Sequence, residues 1–320
     1  MNLSNTDGAS PAKAPGPLQA VRDKVVALPR DPAAWTFLAV WVLAAAYLVV
    51  IGRGDRVIAA IVNTDILFII LGITTVALTA KALPAEPVDA IAASRPGRWR
   101  LPLQIGVLLV VIVLTGYRGM VFNRALPRSL DTLPVWTPLV DALDGLWGHV
   151  FAISFWGSNP TLYVIVPGLA LLALGARWRS LGFARGYRSW LIAMLWGSIQ
   201  IIGIVMALAT GRSGVLTLLR YFVSNLLQNG FSEEYLFRGA LLTRLKPLLG
   251  TSWAVVLSSL AFGIWHLGAD TAGGGNYLAG AAVGILSQGT FGLAMAIVFL
   301  RTRNLLAPTI IHILGDTPAF

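Results

Sequence analysis

The fold of this chain is decided by uncharged stretches such as residues 101–117, which read LPLQIGVLLVVIVLTGY. A helix needs roughly 20 mostly apolar residues to cross about 30 Å of hydrocarbon. Similar stretches recur at 35–52, 57–80, 161–176, 190–209, 219–242, 252–267, 276–300 and 305–318. Their apolar residues are continuous rather than alternating, which indicates helices and not a membrane barrel. The sequence therefore predicts an all-α, polytopic transmembrane helix bundle with about eight or nine membrane segments.

Composition supports an integral membrane protein, which we expect in the cell membrane. Charged residues make up 12% of the chain, about half of their usual share in soluble domains. The absence of cysteine excludes disulfides and thiolate metal sites. The net charge of +10 comes from basic residues in short loops, a pattern typical of topology signals. We therefore expect the lipid bilayer as a partner, and no nucleic acid.

The chain divides into three parts. Residues 1–32 form a polar tail, residues 33–176 contain the N-terminal transmembrane helices, and residues 177–320 contain a C-terminal helix bundle. With nine crossings, sixteen basic residues share the side of the tail and seven lie on the other side. This bias predicts a cytoplasmic N-terminus. The sixteen are Lys13, Arg22, Lys24, Arg30, Lys81, Arg95, Arg98, Arg100, Arg177, Arg179, Arg185, Arg188, Arg244, Lys246, Arg301 and Arg303.

Two of the three glutamates are adjacent within an apolar segment. Ionisable groups inside a membrane are costly and are functional candidates by default. Glu234 and Arg238 are spaced i, i+4, which predicts an ion pair with an orienting role. Glu233 points about 100° away and lacks such a partner, so it is the carboxylate available as a general base.

Two of the three histidines lie in later apolar segments. His266 ends a helix that contains Phe262, and His312 precedes Asp316 by one helical turn. Counted from the basic ends of their segments, Glu233, His266 and His312 lie at depths of about 16, 21 and 13 Å. These similar depths predict that the three side chains share one polar cavity in the membrane interior.

The order Glu-Glu-x-x-x-Arg, Phe-x-x-x-His and His-x-x-x-Asp on successive helices resembles the CPBP (CAAX protease and bacteriocin-processing) family. That family includes the type II CAAX prenyl endopeptidases, and the resemblance covers about residues 180–320. Asp316 stands where the prenyl-processing members have Asn. A neutral Asn can donate to an oxyanion, whereas an ionised Asp cannot, so Asp316 acts either protonated or by orienting His312.

The resemblance implies an intramembrane endopeptidase that cleaves a peptide or protein substrate at the membrane. Glu233, helped by His266, would activate a water, while His312 and Asp316 would stabilise the oxyanion or position the substrate. Glu234, Arg238 and Phe262 would hold the geometry. The family is often labelled metalloprotease, and these side chains could ligate a divalent metal such as zinc. Without a His-Glu-x-x-His motif, we favour a metal-free water and leave metal dependence open.

Two other functions fit parts of the pattern. A proton-coupled transporter could use Glu233 and the histidines as a relay, although no inverted repeat is visible. A non-catalytic immunity or scaffold protein would keep the fold and tolerate Glu233→Ala.

The basic bias generates a topology prediction. In a variant with cysteine in place of Arg98, a membrane-impermeant thiol reagent should react only after the cells are permeabilised, because residues 81–100 and 177–188 should be cytoplasmic. The absence of native cysteine makes the labelling specific. Reaction in intact cells would overturn the assignment.

Overall fold

Eleven helices build the structure, a computed structural model that describes residues 30–80, 99–272 and 275–317. They are α1 (Pro32–Val50), α2 (Gly54–Leu78), α3 (Arg100–Phe122), α4 (Trp136–Val150), α5 (155–173), α6 (Ser189–Ala209), α7 (215–249), α8 (Thr251–Trp265), α9 (Leu267–Asp270), α10 (Tyr277–Thr302) and α11 (Leu306–Gly315). The described residues contain no strand. The all-α prediction is therefore confirmed. The predicted tail falls almost entirely outside the described residues.

All nine predicted apolar segments are helical, but they differ in length and polarity. Five helices, α1, α2, α3, α6 and α10, are long and apolar enough to cross a membrane. They expose large apolar side chains such as Leu43, Val50 and Val113 to the surroundings, as lipid-facing helices do. Helices α8 and α11 are apolar and shorter, and α7 carries charged residues along its length. The structure is that of a polytopic membrane bundle, and the number of crossings stays a prediction.

Local sequence features set several helix ends. The Asp31 carboxylate caps α1 by accepting a hydrogen bond of 3.0 Å from the Ala33 amide. A second hydrogen bond, to Ser252, lowers the pKa of Asp31. Gly250 separates α7 from α8 with a φ of 81°, a left-handed conformation that glycine adopts without strain. Pro308 lies in the first turn of α11, as predicted, where its missing N–H costs little.

Helix α7 is continuous across Asn229 and Gly230. The turn Leu226–Gly230 is a π-helix, and a second π stretch spans Tyr235–Leu242. A Cβ atom on Gly230 would lie 2.6 Å from Cγ1 of Ile313, so the glycine lets α7 approach α11 closely. The close approach, and not a chain break, is the reason for a glycine here. The four residues between the π turns include Glu233 and Glu234.

One end of the bundle gathers the ends of α2 and α10 with the start of α6. Arg188 donates a hydrogen bond to the carbonyl of Leu78, and Nε of Arg301 donates to Oγ1 of Thr79 at 2.7 Å. We call this the basic end, because its described loops and helix termini hold Arg30, Arg100, Arg177, Arg179, Arg185, Lys246 and Arg303. The starts of α8 and α11 and the end of α7 lie here too, since Arg244 of α7 bonds Ser180 at 2.9 Å.

The other end of the bundle, the opposite end, gathers the ends of α1, α3, α8 and α11. Nδ2 of Asn276, at the start of α10, donates to the Tyr47 hydroxyl of α1 at 2.8 Å. The Tyr277 hydroxyl donates to the carbonyl of Ala125, just after α3, at 2.6 Å. Residues 118–160 lie at this end and include all of α4.

One of three buried apolar clusters joins the N-terminal and C-terminal helices. Tyr235, Leu236 and Phe237 of α7 are at most 1% exposed and belong to the same buried cluster as Leu108 of α3 and Leu171 of α5. The predicted division at residue 177 therefore does not separate two independent cores, although the boundary itself stays a prediction.

Helices α8 and α10 approach each other through glycines. A Cβ atom on Gly263 would lie 2.7 Å from the carbonyl oxygen of Gly284, and one on Gly284 would lie 2.5 Å from the carbonyl oxygen of Gly263. The approach of Gly263 to Gly284 is thus a helix contact of the kind that stabilises membrane bundles.

We expect Gly263→Ala to lower the free energy of unfolding by about 1–3 kcal/mol, because the added methyl group forces two backbones apart. Gly106→Ala is the matched control, since a Cβ atom there meets nothing within 4 Å. It should leave stability unchanged or raise it, because Ala favours the helix by about 1 kcal/mol over Gly. Thermal unfolding in detergent measures both, and equal melting temperatures would contradict the close contact.

Candidate active site

Glu233 is buried at the centre of a three-helix junction. It is 5% exposed and lies on α7 between the two π turns. Its Oε2 atom lies 3.6 Å from Nε2 of His266 on α8 and 3.8 Å from Nε2 of His312 on α11. Among the described residues Oε2 has no hydrogen-bond partner. The three residues predicted to share one cavity are therefore together, with one carboxylate oxygen facing two imidazole nitrogens.

Glu234 makes the ion pair that the sequence predicted and a second contact that it did not. Oε1 of Glu234 lies 3.1 Å from Nη1 of Arg238, with both side chains at most 1% exposed. The same oxygen lies 2.9 Å from Nδ1 of His312. The guanidinium of Arg238 also stacks 4.3 Å from the ring centre of Phe262. Glu234 thus joins one turn of α7 to α11.

The contacts of His266 indicate its tautomer. Its Nδ1 lies 2.9 Å from the carbonyl oxygen of Phe262, and a carbonyl can only accept, so Nδ1 carries a proton. In the neutral ring, Nε2 is then an acceptor that faces Glu233. Two acceptors 3.6 Å apart do not bond each other directly, but a water can donate to both. The Phe262 ring contacts His266 edge to face at 4.6 Å.

His312 and Asp316 are neighbours at the open side of the site. Oδ2 of Asp316 lies 3.5 Å from Nε2 of His312 and 3.2 Å from Nδ2 of Asn229. The Asp316 side chain is 38% exposed, so it is hydrated. The sequence suggested that Asp316 orients His312, but the group in contact with Nδ1 is Glu234. Asp316 instead faces the same Nε2 atom as Glu233.

A cavity of 740 Å³ opens beside these residues, and its walls come from most of the bundle. Phe68 of α2, Thr115 of α3, Tyr163 of α5 and Trp196 of α6 line it together with the motif helices. Eight carboxamide side chains also face it: Asn63, Asn123, Asn159, Gln200, Asn225, Gln228, Asn229 and Gln288. The sequence reading missed them because it weighed only ionisable groups. For six of them, all but Asn123 and Asn159, the position inside an apolar segment was the available signal.

The cavity wall from α3 to α5 is fixed by a buried arginine. Arg118 of α3 bonds the Asp144 carboxylate of α4 at 2.8 Å and Oδ1 of Asn159 on α5 at 2.6 Å. The guanidinium of Arg118 also lies 4.7 Å from the Phe155 ring centre. This network orders three N-terminal helices around the site.

The donor set does not fit a metal centre. In the described part of the chain, no group of three or more His, Asp or Glu side chains has the arrangement needed to hold a metal ion. Glu234 Oε1 and His312 Nδ1 are already engaged with each other. The zinc alternative therefore gains no support from these residues, and we derive no step through a metal.

Comparison with known proteins bears on the C-terminal half of the chain. Residues 214–317 match the family model described as type II CAAX prenyl endopeptidase Rce1-like. No curated protein and no solved structure matches the chain. The matched region runs from the start of α7 to the end of α11 and contains Glu233, His266 and His312. This match confirms the resemblance found in the motif order: over residues 214–317 the chain is similar to the type II CAAX prenyl endopeptidases.

Proposed function

We propose that this chain is an intramembrane endopeptidase in which Glu233 and His266 hold and activate a water molecule. One observation carries the proposal: the unpartnered Oε2 of buried Glu233 faces two imidazole nitrogens beside a cavity of 740 Å³. The family match implies a CAAX protease that works inside the membrane. The identity of the catalytic residues and the activated water are our inference from the geometry.

The proposed reaction uses Glu233 and His266 to activate the water and His312 to stabilise the oxyanion that forms. A water that donates to Nε2 of His266 and to Glu233 would attack the peptide carbonyl, and its proton would pass to Glu233. Nε2 of His312, when protonated, would donate to the oxyanion that forms. Glu233 would then return the proton to the leaving amide nitrogen, so that a free amine and a carboxylic acid are released. Asp316 would position the substrate near Nε2 of His312.

Glu234, Arg238 and Phe262 would act by positioning. Glu234 fixes the ring of His312 through Nδ1, which leaves Nε2 directed at the cavity. Arg238 balances the Glu234 carboxylate, and Phe262 packs between Arg238 and His266. None of these three needs to contact the substrate. Their removal should therefore disturb the fold as well as the rate.

A proton-coupled transporter is the competing proposal with a specific observation in its favour. Asp316, His312, Glu233 and His266 form a chain of titratable groups with successive separations of 3.5, 3.8 and 3.6 Å. Such a chain could pass protons. Gradient-driven uptake without cleaved peptides would favour it. A non-catalytic immunity or scaffold role would instead leave biological function intact in Glu233→Gln.

We expect Glu233→Gln to reduce peptide cleavage by about 10²- to 10⁴-fold, because the amide keeps the shape but cannot accept a proton. Expression and melting temperature should stay near those of the parent protein. Glu234→Gln is the matched comparison: it leaves Arg238 without its buried partner and should destabilise the fold by about 3–5 kcal/mol. Comparison of membrane peptides by mass spectrometry, followed by kinetics on a peptide so found, measures the rate. Parental turnover in Glu233→Gln would remove this residue from the mechanism.

If Glu233 and His266 activate the same water, their removal should be strongly non-additive. The double variant Glu233→Gln, His266→Ala should cleave scarcely more slowly than either single variant, since residues that act as a unit fail together. The measurement is kcat/KM for the three variants against the parent protein. Multiplicative losses in the double variant would mean that the two side chains act in separate steps.

A further inference from the structure

Helix α4 is fixed against the bundle by one of its faces. Oδ1 of Asp144 accepts a hydrogen bond of 2.8 Å from Arg118 on α3, and Nε1 of Trp147 donates to Oγ1 of Thr161 on α5 at 3.1 Å. A Cβ atom on Gly157 would lie 2.1 Å from Cδ2 of Trp147, so the indole ring rests directly on the backbone of α5. These contacts set the rotation of α4 about its own axis.

A second face of α4 is apolar, and nothing in the described part of the chain covers it. Leu139, Leu146 and Val150 are 56%, 58% and 60% exposed, and Ala142 beside them is exposed as well. Successive residues of a helix differ by about 100°, so Leu139 and Leu146 point about 100° away from Trp147. We call these four residues the apolar stripe.

The third face of α4 is hydrated. Asp141, Gly145 and Gly148 are exposed, and they point about 110–170° away from the apolar stripe. An ionisable side chain is costly to place in hydrocarbon, so lipid chains cannot surround α4 on all of its exposed sides. A helix with one apolar and one polar exposed face, of this kind, is typical of a helix that lies in the plane of a membrane surface.

The position of α4 along the bundle agrees with such a location. Helix α3 has 23 residues, so it is about 34 Å long and just exceeds the roughly 30 Å of a hydrocarbon layer. Arg118, which holds α4, lies four residues before the end of α3. Trp147 of α4 stacks on Phe151 at 5.6 Å, and Trp is enriched at the boundary between lipid and water. Helix α4 therefore lies beside the point where α3 leaves the hydrocarbon.

Charge indicates the kind of lipid that the stripe contacts. Helix α4 contains no Lys or Arg, and Asp141 is its exposed carboxylate. A carboxylate gains nothing from an anionic headgroup, so the contact depends on buried apolar area and not on electrostatic attraction. Zwitterionic phospholipids meet this requirement.

We propose that α4 lies in the plane of the membrane surface, with the apolar stripe among the acyl chains of zwitterionic phospholipids. Because Asp144 of the same helix holds Arg118, the cavity wall from α3 to α5 is then attached to a helix that is seated in lipid. This surface lies outside residues 214–317 and does not depend on the proposed protease function.

Fluorescence quenching by spin-labelled lipid tests the contact, because the chain has no native cysteine. Leu139→Cys and Leu146→Cys place an environment-sensitive fluorophore on the stripe. Asp141→Cys and Gly148→Cys are the matched controls on the hydrated face, and a Cβ atom on Gly148 meets nothing within 4 Å. In phosphatidylcholine vesicles with a nitroxide near the headgroup end of the acyl chain, quenching should be at least about two-fold stronger on the stripe. Val113→Cys, on the exposed surface of α3, is the reference for deep lipid.

Each result decides the proposal. Equal quenching on the two faces of α4 would overturn it. Blue-shifted emission from the stripe without quenching by lipid would also overturn it, because a second copy of the chain would then cover the stripe. A nitroxide near the end of the acyl chain should quench the Val113 variant best, and the same preference in the Leu139 variant would exclude a surface location. Quenching that requires added phosphatidylglycerol would contradict the assignment to zwitterionic lipid. Melting temperatures near that of the parent protein show that the labelled variants are folded.

Discussion

The buried carboxylate of Glu234 is the interaction on which the site depends. Its Oε1 atom contacts both the guanidinium of Arg238 and the imidazole of His312, so it links one turn of α7 to α11. An ion pair at such depth is costly to form and very costly to break on one side only. The pair also orients a third residue, His312, through the contact with its Nδ1 atom. With Nδ1 of His312 held, Nε2 points toward Glu233, and the geometry of the reactive groups follows.

Much of the candidate site could be predicted, because it depends on the spacing of residues within single helices. The pair Glu234–Arg238 follows from helical spacing alone, and the common depth of Glu233, His266 and His312 follows from rise per residue. The contact between Glu234 and His312 could not be predicted, because it depends on the rotation of α11 about its axis. Helical spacing is fixed within one element, whereas rotation is decided by packing between elements.

The fold could be predicted to a similar degree. Each of the nine apolar segments corresponds to a helix, whereas α4 lies outside them. The π turns of α7 were not predictable from the sequence. A π turn accommodates one extra residue, and tertiary packing decides where that residue is placed. The part that the N-terminal helices play in the cavity was also not predicted from the sequence. These helices complete the cavity through Asn63, Thr115 and Asn159, although the family match begins at residue 214. Neighbouring helices outside the matched region thus form part of the site.

The π turn at Leu226–Gly230 makes the site sensitive to chain length in an unusual way. A π turn contains one more residue than the α-helical path it replaces. Loss of a single residue there would restore regular α-helix and rotate everything before it by about 100° relative to Glu233. Asn225 would then leave the wall of the cavity while Glu233, His266 and His312 stayed in place. A one-codon deletion could in this way change which ligands the cavity admits without moving these three side chains.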